Sequence, residues 1–277
     1  VYAGDGDDQI FTHHVLDTIF GEGGADIIVS GGGDDRVYGG DGNDYILGGL
    51  GNDFLYGDAG NDELHGAEGD DYLTAGAGND LVFGEAGYDV LVQTIGGTQT
   101  LTDTTLDGYG HDTFASVERV NLYGAGSDDT FDVSEFTGVA YLDGAGGTDT
   151  VASTNDDDFV LADWNLRRAL GGSFLLTSIE RAELTGGAGD NTFDVTHWTR
   201  AATLDGGGPG NDRVRAVNDA DFTLGDASLV RSGGGSFQLS DINLAQLTGG
   251  LGNNTLDASG FSGRAILSGG EGNDVLR

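Results

Sequence analysis

The strongest constraint on the fold is a nine-residue unit that runs ten times from Ala3 to Val92 without a break in register. Two adjacent copies are residues 39–47, GGDGNDYIL, and residues 48–56, GGLGNDFLY. Position six is aspartate in every copy: Asp8, Asp17, Asp26, Asp35, Asp44, Asp53, Asp62, Asp71, Asp80 and Asp89. Position eight is aliphatic in every copy, and position four is glycine in all except the second, which has Val15. This regularity predicts a stacked array of one structural unit.

Each unit joins a glycine-rich half to a three-residue strand. Glycines at positions one, two and four allow positive φ, so the first six residues can curl tightly. In positions seven to nine, side chains alternate between the two faces of a strand, and position eight points inward. A coil of two nonapeptides would give two facing strands and two turns. Repeat n would then lie about 4.8 Å from repeat n+2.

This stacking brings carboxylates together. Asp44 would lie one coil from Asp26 and from Asp62, and such neighbours repel each other by about 1 kcal/mol even in water. The curled turns also direct backbone carbonyls into the same space. Carboxylate and carbonyl oxygens suit Ca²⁺, whose coordination is more flexible than that of Mg²⁺. The alternative is that the aspartates only close Asx-type turns.

The repeat resembles the nonapeptide of the repeats-in-toxin (RTX) family, G-G-x-G-x-D-x-U-x, where U is a large apolar residue. The resemblance implies Ca²⁺ bound between repeats n and n+2 through position-six aspartates and backbone carbonyls. The aspartates expected as ligands are Asp8, Asp26, Asp35, Asp44, Asp53, Asp62, Asp71, Asp80 and Asp89. The turn glycines expected in the sites are Gly39, Gly40, Gly42, Gly48, Gly49, Gly51, Gly57 and Gly60.

The second repeat departs from this pattern. Its first six residues, 12–17, contain no glycine, so Asp17 is left out of the expected ligand set. His13 and His14 within it could bind a transition metal, or they could mark a local loop insertion or surface substitution.

After Val92 the strict period stops and a longer one begins. A Leu-x-Asp-x-x-Leu segment recurs at residues 101–106, 161–166 and 224–229, and other landmarks recur with it every 60 to 63 residues. We therefore expect a roll over residues 1–92, followed by three degenerate modules at about 93–154, 155–217 and 218–277, with coils of about twenty residues. This half looks like the longer repeats that often accompany RTX arrays.

Calcium should be dense before Val92 and sparse after it. The first turn of each module has Asp129, Asn191 or Asn254 at position six, and an amide oxygen is a weaker calcium ligand than a carboxylate. The closing turns keep aspartate, so Asp149, Asp212 and Asp274 are the expected sites there.

Composition indicates that folding depends on the metal. The 277 residues include 53 glycines, 47 acidic and 11 basic residues, and the net charge is −36. This charge excludes nucleic acid as a natural partner and argues against an anionic membrane surface. Self-repulsion should expand the metal-free chain, so we expect Ca²⁺ to drive folding. Cysteine is absent, and the sequence contains neither a membrane-spanning stretch nor an N-terminal signal peptide.

Position nine carries apolar residues in alternate repeats, including Phe20, Tyr38 and Tyr56. Two interpretations are open: stacking between coils within the chain, or a contact surface for another copy or domain.

No catalytic constellation is present: the sequence has no H-E-x-x-H, no G-x-S-x-G and no cysteine.

The predicted fold is all-β, a right-handed parallel β-roll with two nonapeptides per coil that continues into a wider β-helix. Both termini fall inside the repeat pattern, so we expect either a fragment of a longer protein or open ends that meet other copies. The RTX resemblance implies type I secretion and an extracellular or cell-surface location. Two roles stay open: a structural or adhesive solenoid that stacks into a filament, or the secretion and folding module of an exoenzyme or toxin.

Overall fold

A computed structural model describes residues 1–13 and 15–277, and the fold over these residues is all-β, without a helix. The chain forms two compact units. Unit 1 contains residues 1–126 and 138–142, and unit 2 contains residues 127–137 and 143–277. The boundaries expected at Val92 and between the three modules stay predictions.

The strands of unit 1 are β1 (Tyr2–Asp5), β2 (Gln9–Phe11), β3 (Thr18–Gly23), β4 (Ile27–Gly32), β5 (Arg36–Asp41), β6 (Tyr45–Leu50), β7 (Phe54–Ala59), β8 (Glu63–Glu68), β9 (Tyr72–Thr74), β10 (Leu81–Ala86), β11 (Val90–Thr94), β12 (Thr98–Thr102), β13 (Thr105–Asp107), β14 (His111–Ala115), β15 (Arg119–Tyr123) and, almost entirely, β17 (Val139–Asp143).

The strands of unit 2 are β16 (Thr130–Glu135), β18 (Thr150–Thr154), β19 (Phe159–Ala162), β20 (Asn165–Arg168), β21 (Ser173–Thr177), β22 (Arg181–Thr185), β23 (Thr192–His197), β24 (Ala201–Asp205), β25 (Arg213–Val217), β26 (Phe222–Gly225), β27 (Ser228–Arg231), β28 (Ser236–Ser240), β29 (Leu244–Thr248), β30 (Thr255–Gly260), β31 (Arg264–Ser268) and β32 (Val275–Leu276).

Unit 1 is a parallel β-roll with two nonapeptides in each coil, as the repeat predicts. Strands β3, β5 and β7 pair in parallel in one sheet, and β4, β6 and β8 pair in parallel in the other. Ile19 pairs with Val37, which is 18 residues further on, and Ile28 pairs with Ile46. Each of the ten position-eight side chains is buried, so together they form the core column between the two sheets.

The turns between these strands impose the left-handed backbone conformation. Gly40 and Gly42, at positions two and four, have φ of 107° and 135°. Glu22 and Asp58 also lie at position two and adopt φ of 76° and 69° although they are not glycine. The stacked turn therefore fixes this conformation even where the side chain disfavours it.

Position nine stacks between coils. The rings of Tyr2, Phe20, Tyr38 and Tyr56 form one column, with successive ring centroids 4.7, 4.9 and 4.7 Å apart and nearly parallel planes. The position-nine rings therefore stack between coils within the chain, which is the first of the two interpretations of position nine. Such cross-strand aromatic pairs stabilise a sheet.

Unit 2 also has parallel pairing with coils of about twenty residues. Thr130 pairs with Thr150, and Thr255 pairs with Val275, each partner 20 residues further on. Other coils are longer, since Thr150 also pairs with Arg181.

Antiparallel meanders contain the extra residues of the longer coils. Strands β19, β20 and β21 form one meander, and β26, β27 and β28 form another. In unit 1, β12, β13 and β14 form a third. The Leu-x-Asp-x-x-Leu segments are the first hairpins of these meanders, because their two leucines face each other across the hairpin in each one. Sequence analysis did not predict this antiparallel element.

Two buried arginines hold the turns of unit 2 together. Arg231 is 6% exposed, and its Nε donates to the carbonyl of Gly234 at 2.8 Å. Its Nη1 donates to the carbonyl of Thr196 at 3.2 Å, and its Nη2 donates to that of Trp198. Arg168, 7% exposed, makes the equivalent bonds 63 residues earlier. Each guanidinium is an internal cation surrounded by backbone oxygens.

We expect Arg231→Met to lower the free energy of unfolding by about 3 kcal/mol or more, because it leaves several buried carbonyls without a donor. Arg264→Met is the control, since Arg264 is exposed and the change should stay within about 0.5 kcal/mol of wild type. Urea unfolding followed by circular dichroism in saturating calcium measures both. Equal midpoints for the two variants would contradict this role of Arg231.

Candidate metal centre

The position-six aspartates of the roll form two stacked columns. In each column, the backbone N–H of one aspartate donates to Oδ1 of the aspartate 18 residues further on. The N···O distance is 2.8 Å from Asp26 to Asp44, 2.8 Å from Asp44 to Asp62 and 2.7 Å from Asp53 to Asp71. These bonds join neighbouring coils, so the carboxylates do more than close their own Asx-type turns.

In every repeat except the first, the second oxygen of the position-six carboxylate is buried without a hydrogen-bond partner. Among the described residues, the buried Oδ2 atoms without a partner belong to Asp17, Asp26, Asp35, Asp44, Asp53, Asp62, Asp71, Asp80, Asp89, Asp149 and Asp212. The side chains of Asp53, Asp71 and Asp89 are fully buried. A buried ionised oxygen without a donor or cation is strongly unfavourable, so these turns require a positive partner.

A backbone carbonyl converges on the same place. A Cβ built on Gly57, at position one, would lie 2.6 Å from Oδ2 of Asp62 and would also collide with the carbonyl oxygen of Ala75. Gly39 shows the same arrangement with Asp44 and with the carbonyl of Gly57. Glycine is therefore favoured at position one of these repeats, because the carboxylate of its own repeat and the carbonyl of repeat n+2 crowd against it.

These oxygens fit a hard divalent cation. Within residues 1–13 and 15–277, no three acidic, histidine or cysteine side chains form a metal-binding cluster. A cation here would therefore take backbone carbonyls in addition to one or two carboxylates, and Ca²⁺ accepts such a set readily.

Burial shifts the ionisation of the same carboxylates. It raises the pKa of Asp53 to about 6 and the pKa values of Asp62 and Asp71 to about 7, and repulsion from neighbouring carboxylates adds to the effect. Backbone hydrogen bonds oppose the shift but do not cancel it. A bound proton compensates part of the buried charge, and Ca²⁺ bound to the same oxygens would displace the proton.

Some expected ligands fit less well than Asp62. In repeat four, Ser30 is at position one, and its hydroxyl donates to the carbonyl of Gly48 at 2.9 Å, so a protein donor already occupies the carbonyl beside Asp35. In repeat two, the hydroxyl of Thr12 donates likewise to the carbonyl of Ser30 at 2.6 Å. In repeat nine, Ala75 carries a methyl group at position one beside Asp80. The assignment of Asp35 and Asp80 as ligands stays a prediction.

The remaining expected ligands differ in burial. Asp149 and Asp212 are fully buried, and burial raises the pKa of each. Asp8 and Asp274 are half-buried. His14 lies outside the described residues, so both interpretations of the His13–His14 pair stay untested.

Hydrogen bonds satisfy the two turns that carry asparagine. Asn191 Nδ2 donates to Oδ1 of Asp156 at 3.1 Å, and Asn191 Oδ1 accepts from the N–H of Gly187 at 2.7 Å. Asn254 makes the equivalent pair of bonds, with Asp219 and Gly250. Since these amides have protein partners, their polar atoms are satisfied without a cation, and sparse calcium in this part of the chain stays a prediction.

Sequence analysis missed Asp112. Its Oδ1 accepts from the N–H of Asp80 at 3.2 Å, it is 3% exposed, and burial raises its pKa to about 7. Gly110-His111-Asp112 repeats positions four to six of the nonapeptide, but the intervening β12–β13 hairpin shifts it out of the nine-residue register. The Gly-x-Asp spacing at residues 110–112 is the sequence signal for this aspartate once the hairpin is treated as an insertion.

Comparison with known proteins identifies the repeats. Residues 20–55, 56–91 and 259–277 match the family model of the RTX calcium-binding nonapeptide repeat. These parts of the chain are RTX calcium-binding nonapeptide repeats. Comparison with curated proteins gives no significant match.

Among solved structures, the chain is similar to extracellular lipase LipA from Serratia marcescens, with 17% identity and a TM-score of 0.25. The alignment covers 76% of this chain and 38% of the lipase chain, so the chain spans well under half of that protein.

Without calcium, stability should fall as pH rises. The folded-state pKa of Asp62 and Asp71 is about 7 and their ordinary value is 3.8, so the folded state binds more protons than the unfolded state between these values. Stability is therefore greatest in acid and is lost between about pH 4 and pH 7. Urea midpoints in calcium-depleted buffers across this range measure the effect, which saturating calcium should largely remove. A calcium-free midpoint that rises over the same range would contradict the assignment.

Proposed function

We propose that this chain is a Ca²⁺-folded, extracellular repeat region of a type I-secreted bacterial protein, and that it acts as a structural or adhesive solenoid. The RTX repeats support calcium binding and this route of secretion. The single observation that carries the proposal is the run of buried position-six carboxylates with an unpartnered oxygen, among them Asp53, Asp62 and Asp71. Such a column is unfavourable without cations.

Calcium availability fits an extracellular location. Sites of this class in extracellular modules have dissociation constants of about 0.1–1 mM. The chain would then stay expanded in a low-calcium cytosol, where its net charge of −36 repels itself, and would fold where calcium is abundant. Within the described residues, no helix is long and apolar enough to cross a membrane.

A solenoid suits a structural role because each coil contacts mainly its neighbours, so length can be added without a new core. The stacked aromatic column at Tyr2, Phe20, Tyr38 and Tyr56 stiffens one face of the roll. Assembly of copies into a filament belongs to this proposal and requires its own test.

Calcium titration followed by circular dichroism, with electron microscopy of the same sample, tests the proposal. We expect conversion from coil to β-structure at submillimolar to millimolar calcium, reversed by a chelator, because the cations neutralise the buried carboxylates. Filaments in the folded sample would support the structural role. Folded particles that stay single would favour a secretion and folding module for a larger exoenzyme or toxin. A β-rich spectrum that a chelator leaves unchanged would overturn calcium-dependent folding.

Asp62→Asn tests the carboxylate column directly. Asparagine keeps an acceptor for the N–H of Asp44 but removes the charge, so we expect calcium to bind about tenfold more weakly at that turn. The matched control is Glu68→Gln, which removes one exposed charge from the same roll. Isothermal titration calorimetry compares the two. Identical calcium isotherms for both variants would count against Asp62 as a ligand.

A further inference from the structure

Two short segments outside the nonapeptide array, residues 116–118 and 178–180, reproduce the oxygen arrangement of the array with a shorter sequence. The N–H of Asp89 donates to Oε2 of Glu118 at 2.7 Å, and the N–H of Asp149 donates to Oε2 of Glu180 at 3.1 Å. In the roll, the equivalent N–H donates to the position-six aspartate of the next coil. Each glutamate therefore stands where that aspartate would be.

A serine supplies the matching carbonyl in each turn. A Cβ built on Gly84 would lie 2.5 Å from Oδ2 of Asp89 and would also meet the carbonyl oxygen of Ser116. This carbonyl takes the place of the position-one carbonyl of repeat n+2. At Gly144, the Oδ2 of Asp149 and the carbonyl of Ser178 are arranged in the same way.

Both serines adopt a conformation that is unfavourable for them. Ser116 has φ of 54° and Ser178 has φ of 51°. The left-handed conformation directs the carbonyl toward the aspartate with only one residue between serine and glutamate, whereas the nonapeptide has four residues between positions one and six. The extra methylene of glutamate, compared with aspartate, lets the carboxylate span this shorter segment.

The aspartates in these turns also require a cation. Asp89 and Asp149 are both fully buried, and in each the Oδ2 atom lacks a hydrogen-bond partner. If Glu118 only capped the N–H of Asp89, that oxygen would stay uncompensated.

We propose that Asp89, Ser116 and Glu118 form one Ca²⁺ site and that Asp149, Ser178 and Glu180 form a second, with each Ser-x-Glu segment replacing a whole nonapeptide turn. The inference rests on the proposed calcium-binding function and extends it to ligands outside the repeat. Glu118 and Glu180 supply carboxylate oxygen, the serines supply backbone carbonyls, and the aspartates supply the buried Oδ2.

A third turn of the same shape lacks the glutamate. Asp241 has φ of 52°, and its carbonyl and Oδ2 of Asp212 converge beside Gly206. Asn243 takes the place of the glutamate, and its Nδ2 donates to the carbonyl of Gly210 at 2.9 Å. This turn lacks the glutamate carboxylate that the other two contain, so it should bind calcium more weakly.

Native mass spectrometry and isothermal titration calorimetry of the full chain in calcium test the sites. Glu118→Gln and Glu180→Gln keep an oxygen that can accept the aspartate N–H and lose only the charge. Each substitution should weaken the binding of one calcium ion by about tenfold, and the double variant should weaken the binding of two calcium ions. Glu183→Gln, an exposed neighbour of the second site, should match wild type.

The outcomes separate this inference from the proposed function. A wild-type chain that binds no calcium would overturn both. Calcium binding by wild type with unchanged isotherms for Glu118→Gln and Glu180→Gln would overturn the two sites alone. Asn243→Glu provides a gain-of-function test that does not depend on a damaged variant: calcium should bind about tenfold more tightly at the third turn, and an unchanged isotherm would count against the Ser-x-Glu mechanism.

Discussion

A buried carboxylate oxygen without a donor is the constraint on which the roll depends. Coils 18 residues apart stack so closely that one oxygen of each position-six aspartate accepts the N–H of its neighbour, as Asp62 does from Asp44, while the other is enclosed without a partner. Each uncompensated buried charge costs several kcal/mol, comparable to the net stability of a domain. Repeating the unit multiplies this cost. The turns are therefore more favourable with protons or cations beside these oxygens, and Ca²⁺ is a cation that suits such oxygen ligands.

Some turns of unit 2 meet the same requirement with side chains of the protein, although Asp149 and Asp212 keep an unpartnered Oδ2. Asn191 and Asn254 replace the charged position with an amide whose donor and acceptor are both used. Arg168 and Arg231 place a guanidinium among turn carbonyls. A guanidinium has five donors in a fixed plane and stays charged, so it can hold several backbone oxygens as a metal ion does. Dependence on dissolved calcium thus changes along the chain with the chemistry of the turn residues.

The periodic part of the structure could be predicted from sequence because its contacts are between nearest coils. Pairing at 18 residues, the buried position eight and the glycine turns follow from the nine-residue period alone, as Ile28 opposite Ile46 shows. The meanders could not be predicted, since alternating apolar residues do not distinguish a parallel strand from an antiparallel one. The positions of Asp112 and Glu118 in the stacked turns were not predicted, because the hairpin at residues 98–107 moves both residues out of the nine-residue register. The hydroxyl of Ser30 competes with a cation for the carbonyl oxygen of Gly48, and only the structure shows this contact.

The hydrogen bonds between aspartates also indicate how calcium should act along the roll. Oδ1 of Asp44 is fixed by the N–H of Asp26, and the N–H of Asp44 in turn fixes Oδ1 of Asp62, so ordering one turn positions the ligand of the next. In such a one-dimensional array, an ion bound at one turn lowers the entropic cost of forming its neighbour, and binding and folding spread together. The hydroxyls of Thr12 and Ser30 interrupt only the carbonyl part of one column, where a protein donor already occupies the oxygen. Because Asp17 and Asp35 keep the N–H to Oδ1 bond between them, the column stays continuous through these repeats even where a cation fits less well.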